Sequence, residues 1–180
     1  MRLPYVPDPP ATNTAAEAET LARVQARRGA TGLIPLDLAL LHSFPVADGW
    51  NSFIGAIRTR TSLPAEIREL IICRVAVLNG AWFEWGQHAP LLQESGFDEA
   101  ALSAVRDLET GSDSVLTPAQ QAVVAYTDAM TKTVTVPNPV FQRVQEYFSD
   151  RETVDITATV AAYNCVSRFL VALDVGEHNL

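Results

Sequence analysis

Ser62-Leu-Pro-Ala-Glu-Ile-Arg-Glu69-Leu-Ile-Ile-Cys73-Arg-Val-Ala-Val-Leu-Asn79-Gly-Ala-Trp82-Phe-Glu84-Trp-Gly-Gln-His88-Ala-Pro90-Leu-Leu-Gln-Glu-Ser-Gly96 is the run that decides the fold of this chain. Ile67, Leu70, Ile71, Val75 and Leu78 recur at helical spacing. Ser62 is the expected N-cap, Pro64 falls in the first turn, and Glu66 sits where the helix dipole favours a negative charge. Asn79-Gly80 ends that helix and a second begins at Trp82. It meets Pro90, whose missing backbone donor predicts a kink or restart, and stops at Gly96. A link this short makes the two helices an antiparallel or steeply crossed pair.

Working outward, the same signals recur. Thr14 caps a helix over about 15–28, Pro35 opens a short one, and Pro45 opens one carrying Trp50, Phe53, Ile54 and Ile57. Downstream, helices are predicted over about 98–108, from Thr117-Pro118 to Lys132, from Pro137 to Phe148, and over 152–173. The Gly111-Ser-Asp-Ser stretch reads as a loop. Val134-Thr-Val136 is the best strand candidate, and its proline neighbour limits it. The class is all-α. Residues 1–13 read as an extended arm, since the first ten carry four of the 11 prolines; it wraps a neighbouring subunit or frays. Residues 14–180 form one expected helical domain with its core motif at 62–97.

The 180 residues suffice for one sizeable core, and 48% hydrophobic against 19% charged residues fits a well-packed globule with some apolar surface left for oligomer contacts. A net charge of −8 argues against nucleic acid and anionic membranes as partners, and the 13 Lys and Arg never cluster beyond Arg27-Arg28. The same charge repels anions, so an anion site would need local arginines or backbone donors. No run of 18 apolar residues and no leader-like N-terminus is visible, so a cytoplasmic protein is expected. Cys73 and Cys165 lie in apolar helical patterns and read as buried, reduced thiols.

Polar groups interrupt the apolar pattern at three helix positions. Glu84 and His88, four apart, share one helix face, and Glu69 on the preceding helix is placed to meet them. A carboxylate raises the pKa of a neighbouring imidazole, while burial lowers it and raises that of a carboxyl. Such a set can store and deliver protons near neutrality. Trp82, Phe83 and Trp85 around the pair suggest a dry pocket; a plain core or an oligomer interface is the other reading. Glu84 and His88 supply two metal ligands at most and no third is in view, so neither metal nor cofactor is expected.

The Glu69-Leu70 helix followed by Ala81-Trp-Phe-Glu84-Trp-Gly-Gln-His88 and Gly96 resembles the core of the carboxymuconolactone decarboxylase and alkylhydroperoxidase D-like superfamily. The likeness is best over 62–97 and weaker over Leu41–Arg58 and the C-terminal helix. It implies an AhpD-like helical bundle assembling as a trimer or hexamer. In the redox branch of that superfamily a Cys-x-x-Cys precedes the histidine, but those positions are Ala81 and Glu84 here. A thiol peroxidase needs a thiolate and a resolving partner, so that activity is not expected, and Cys73 is off the motif.

What the resemblance leaves is proton-transfer chemistry: a lyase removing carbon dioxide from a small cyclic organic acid or lactone, in aromatic catabolism or secondary metabolism. His88 would be the general acid–base group, with Glu84 orienting it or sharing its proton and Glu69 relaying or positioning. Trp85, Trp82, Asn79, Cys73 and His42 are the candidate substrate contacts. For Asn79 the alternative is helix capping, and for His42 a satisfied structural role. Isomerisation, dehydration or cyclisation by the same pair is the rival chemistry; a non-catalytic binding protein of the same fold is the rival class.

Overall fold

The computed structural model describes residues 1–108 and 115–179; the Gly111-Ser-Asp-Ser loop expectation lies outside them. The chain forms α1 (Ala15–Arg28), a 3-10 turn (Gly29–Thr31), α2 (Pro35–Leu40), α3 (Phe44–Thr59), α4 (Ala65–Leu78), α5 (Trp82–Glu94), α6 (Glu99–Arg106), α7 (Pro118–Thr133), α8 (Asn138–Gln145) and α9 (Asp150–Leu173). No strand occurs among the described residues. Val134 instead follows the last turn of α7 in a left-handed conformation (φ 65°) and points into solvent.

α4 and α9 form the centre of the bundle. Ten residues of α4 are buried, on all sides of the helix, because α5, α7 and α9 pack around it. A charged group in such a helix needs partners, and Arg74 has them. Its guanidinium is bidentate to Asp128 on α7 (2.6 and 2.7 Å) and donates to the Val105 and Asp107 carbonyls at the end of α6.

The turn from α4 to α5 is a Schellman motif. The Ala81 N–H donates to the Ala76 carbonyl and the Gly80 N–H to Val77, with Gly80 at φ 64°. This closes the three-residue link and lays α5 back along α4. The start of α4 differs from the sequence expectation. Pro64 occupies the cap position, and the Ser62 N–H and hydroxyl both donate to the Asp155 carboxylate on α9. α5 also continues through Pro90 to Glu94 as one element, without the predicted restart.

The N-terminal arm packs on its own chain. Arg2 N–H donates to the Leu173 carbonyl (2.8 Å), Gly176 N–H donates to the Tyr5 hydroxyl (2.9 Å), and the Pro4 carbonyl bonds the His42 ring (2.8 Å). α9 is long and apolar enough to cross a bilayer by length and composition, yet half of that window is buried against the bundle. It is the core helix of the fold.

Candidate functional site

α5 supplies the first half of the site. Glu84 and His88 lie one turn apart on its inward face, 2% and 6% exposed, and both line a cavity of about 180 Å3. α4 supplies Glu69, also buried, whose Oε2 accepts from His88 Nδ1 at 2.6 Å. Its other oxygen accepts from Arg68 Nε at 3.2 Å. The three residues expected to carry the chemistry are therefore brought together, but in a different order. Glu69, not Glu84, orients the imidazole.

The electrostatics follow from these partners. Burial by itself would raise the Glu69 carboxyl; the His88 hydrogen bond and charge, with Arg58 and Arg68, bring it below its usual value. His88 moves down because burial disfavours the imidazolium more than Glu69 favours it, with Arg58 and Arg68 adding to the depression. An ionised Glu69 can only accept, so the neutral imidazole carries its proton on Nδ1 and keeps a lone pair on Nε2. Glu84 is the opposite case. Both of its carboxyl oxygens are buried without a hydrogen-bond partner, and burial pushes its pKa well above the ordinary value. Burial therefore favours its protonated, neutral form. A dry base and a dry acid thus face one cavity from a single helix turn.

The remaining walls come from elements far away in sequence. Trp50, Ile54 and Arg58 form an i, i+4, i+8 row on α3, and Tyr163 on α9 meets the His88 ring edge-on, with centroids 5.4 Å apart. Phe83 closes another side, and Arg27 and Arg28 at the end of α1 reach the cavity rim. Both of these arginines bond the buried Asp37 carboxylate on α2. The i+4 spacing on α3 ending in a charge was the available signal for Trp50 and Arg58. Tyr163 had none stronger than a polar point on an apolar helix.

Five expected substrate contacts are not among the cavity's lining residues. Trp82 and Trp85 project from other sides of α5, where the Arg106 guanidinium lies 5.8 and 5.3 Å from their ring centroids. Helical rotation explains this, since 100° per residue separates Trp85 from Glu84 and carries Trp82 nearly opposite. The Asn79 side chain donates to Asn164 and Ser167 and ties the end of α4 to α9. His42 is exposed and engaged with the arm. Cys73 is fully buried behind the site, where burial and the nearby Glu69 and Glu84 hold its thiol far above the ordinary value. Cys165 is exposed on α9 rather than buried.

The chain is similar in fold to an uncharacterised peroxidase-related protein from a Silicibacter species, with a TM-score of 0.76 and 15% identity over 98% of this chain and 94% of that one. An alkylhydroperoxidase AhpD core protein from Ralstonia eutropha, described as peroxidase-related, gives 0.75 and 19% over 97% and 90%. The debrominase Bmp8 in complex with 2,3,4-tribromopyrrole gives 0.73 and 16% over 90% and 87%. Identities this low speak to the fold alone. No curated protein matches this chain by sequence. The model of the carboxymuconolactone decarboxylase family matches residues 45–129, a segment that includes Arg58, Glu69, Glu84 and His88. That match runs through the helices that carry Arg58, Glu69, Glu84 and His88, so over this central segment the chain is similar to the carboxymuconolactone decarboxylase family, on a fold shared with AhpD-like proteins.

Proposed function

We propose that this protein is an acid–base enzyme that removes carbon dioxide from a small cyclic organic acid or lactone, working through its own side chains. The observation that carries the reading is Glu84: a wholly buried, unpartnered carboxyl on the cavity wall, one turn from a neutral imidazole locked by Glu69. When the bond to a substrate carboxylate breaks, its electron pair moves into a conjugated ring carbonyl and carbon dioxide leaves. The Glu84 O–H then gives its proton to the carbon and becomes a carboxylate, which regains a proton from solvent after product departs. His88, held by Glu69, whose other oxygen accepts from Arg68, fixes the polarity of the pocket and accepts any proton the substrate must first lose.

Glu84→Gln keeps the shape and removes the acid, so turnover should drop about 10²–10⁴-fold with thermal stability retained. Carbon dioxide released from a panel of cyclic keto- and lactone-acids measures it. Unchanged turnover would take Glu84 out of the mechanism.

One feature favours a second chemistry. Decarboxylation needs only an acid, whereas the site pairs an acid with a free base at His88 Nε2, as a proton shift within a ring requires. Solvent deuterium entering the product without loss of mass would select isomerisation. The non-catalytic alternative called for an exposed Glu84–His88 pair beside no cavity, and this pair is buried on one. A cytosolic homo-oligomer, trimer or hexamer, is part of the proposal. Its support is the apolar edge of Phe141, Val154 and Ala161 exposed along α8 and α9. A solution mass equal to a single chain would remove it.

A further inference from the structure

We infer that Arg58, backed by Arg27 and Arg28, forms an anion subsite in this cavity and holds a carboxylate that the substrate keeps throughout the reaction. The inference rests on the acid–base reading of Glu84 and His88 and adds the class of molecule they act on.

Arg58 ends the Trp50–Ile54–Arg58 row of α3 and lines the cavity, and it has no hydrogen-bond or ion-pair partner among the described residues. Its neighbours on the rim are different. Arg27 and Arg28 share one carboxylate, Asp37, which leaves an excess positive charge beside Arg58. In a protein of net charge −8 this is a local reversal of sign, which is what a small anion needs in order to enter. An unpaired guanidinium beside aromatic walls offers a planar fork matched to a carboxylate.

The size and the walls narrow the ligand further. A cavity of roughly 150 Å3 accepts benzene, so about 180 Å3 suits a single substituted ring. Trp50, Phe83 and Tyr163 supply faces for it. The anion and the acid occupy different parts of the space. Arg58 reaches the cavity from α3, whereas Glu84 reaches it from α5. A ring clamped at Arg58 therefore presents another of its carbons to Glu84.

Chemistry says which anion stays. A carboxylate leaving as carbon dioxide loses its charge, and a cation clamped on it would stabilise the starting state and slow the loss. Arg58 is suited to a group that remains anionic, so the substrate carries a second acidic group on the ring. In the proton-shift chemistry the same clamp holds the only carboxylate.

The test uses benzoate and its neutral counterpart benzamide as probes of the full chain, with binding followed by calorimetry and by tryptophan fluorescence from Trp50. Benzoate should bind about 10- to 100-fold more tightly than benzamide. Arg58→Gln should erase that preference, Arg58→Lys should keep part of it, and Glu84→Gln should leave it intact. The lysine variant keeps the test alive should the glutamine variant not fold. Equal binding of the two probes, no binding of benzoate, or an unaltered preference in Arg58→Gln would overturn the inference. Since probe binding asks nothing of Glu84, normal turnover in Glu84→Gln would remove the acid–base reading and leave the anion preference standing. The reverse result would remove the subsite alone.

Discussion

A carboxyl with neither oxygen bonded inside a protein is costly as an anion, several kcal/mol or more, and far cheaper as a neutral acid. That asymmetry is what gives Glu84 its role, and it depends on Glu69 occupying the imidazole instead. Glu69→Gln replaces the acceptor with an amide that can also donate, so His88 loses its fixed tautomer. Turnover should drop about 10²–10⁴-fold with KM little changed, and the pH–rate profile should move at the limb set by His88. A change confined to KM would assign Glu69 to substrate binding. The pairing of Glu84 with His88 was legible from their i, i+4 spacing, but their division of labour was not. Spacing shows which face two side chains share, not which of two carboxylates wins the short bond, and that choice depends on how closely α4 and α5 approach.

At the scale of elements, the site hangs on the Schellman turn and on the C-terminal segment that backs Phe83. Gly176 has φ 82°, and a Cβ there would lie 2.1 Å from the Phe83 ring. Asn179 Oδ1 accepts from the Phe83 N–H at the start of α5. Gly176→Ala must therefore push a cavity wall inward as well as strain the backbone, and it should cost about 1–3 kcal/mol of stability and raise KM. Paired melting and kinetic measurements check it; a loss of stability with normal KM would separate the segment from the site. The helices were readable where their punctuation is local: Thr14 and Thr117 cap α1 and α7 through their own side chains, while α9 begins at Asp150 behind a Ser149 cap, two residues before the expected start. Ser62 was misread as a cap because its true partner, Asp155, lies 93 residues away. Distance in the chain also hid Arg58 and Tyr163, which reach the cavity from α3 and α9. The tryptophans misled for another reason. Aromatic density near the pair suggests enclosure, while the helix turn directs Trp82 and Trp85 toward Arg106.

For the whole molecule, the buried titratable groups give stability opposing dependences on pH. His88 is depressed from 6.5 and Glu69 from 4.5, so their contributions are present above those values and are lost as pH falls through the folded ones. Glu84 is raised above 4.5, so its contribution is complete in acid and is lost as pH rises through its elevated value. The melting temperature should peak between these limbs, and Glu84→Gln should flatten the alkaline one while leaving the acid one in place. Melting curves across pH decide this, and an unaltered alkaline limb would mean that Glu84 titrates as an ordinary exposed acid.

Everything proposed for catalysis requires a protonated Glu84 in the resting protein. Isotope-edited infrared difference spectra of the wild type against Glu84→Gln at neutral pH observe that proton directly. The account predicts the carbonyl stretch of a non-hydrogen-bonded carboxylic acid in the wild type and its disappearance in the variant. A wild-type spectrum showing only the paired stretches of a carboxylate at this position would contradict it.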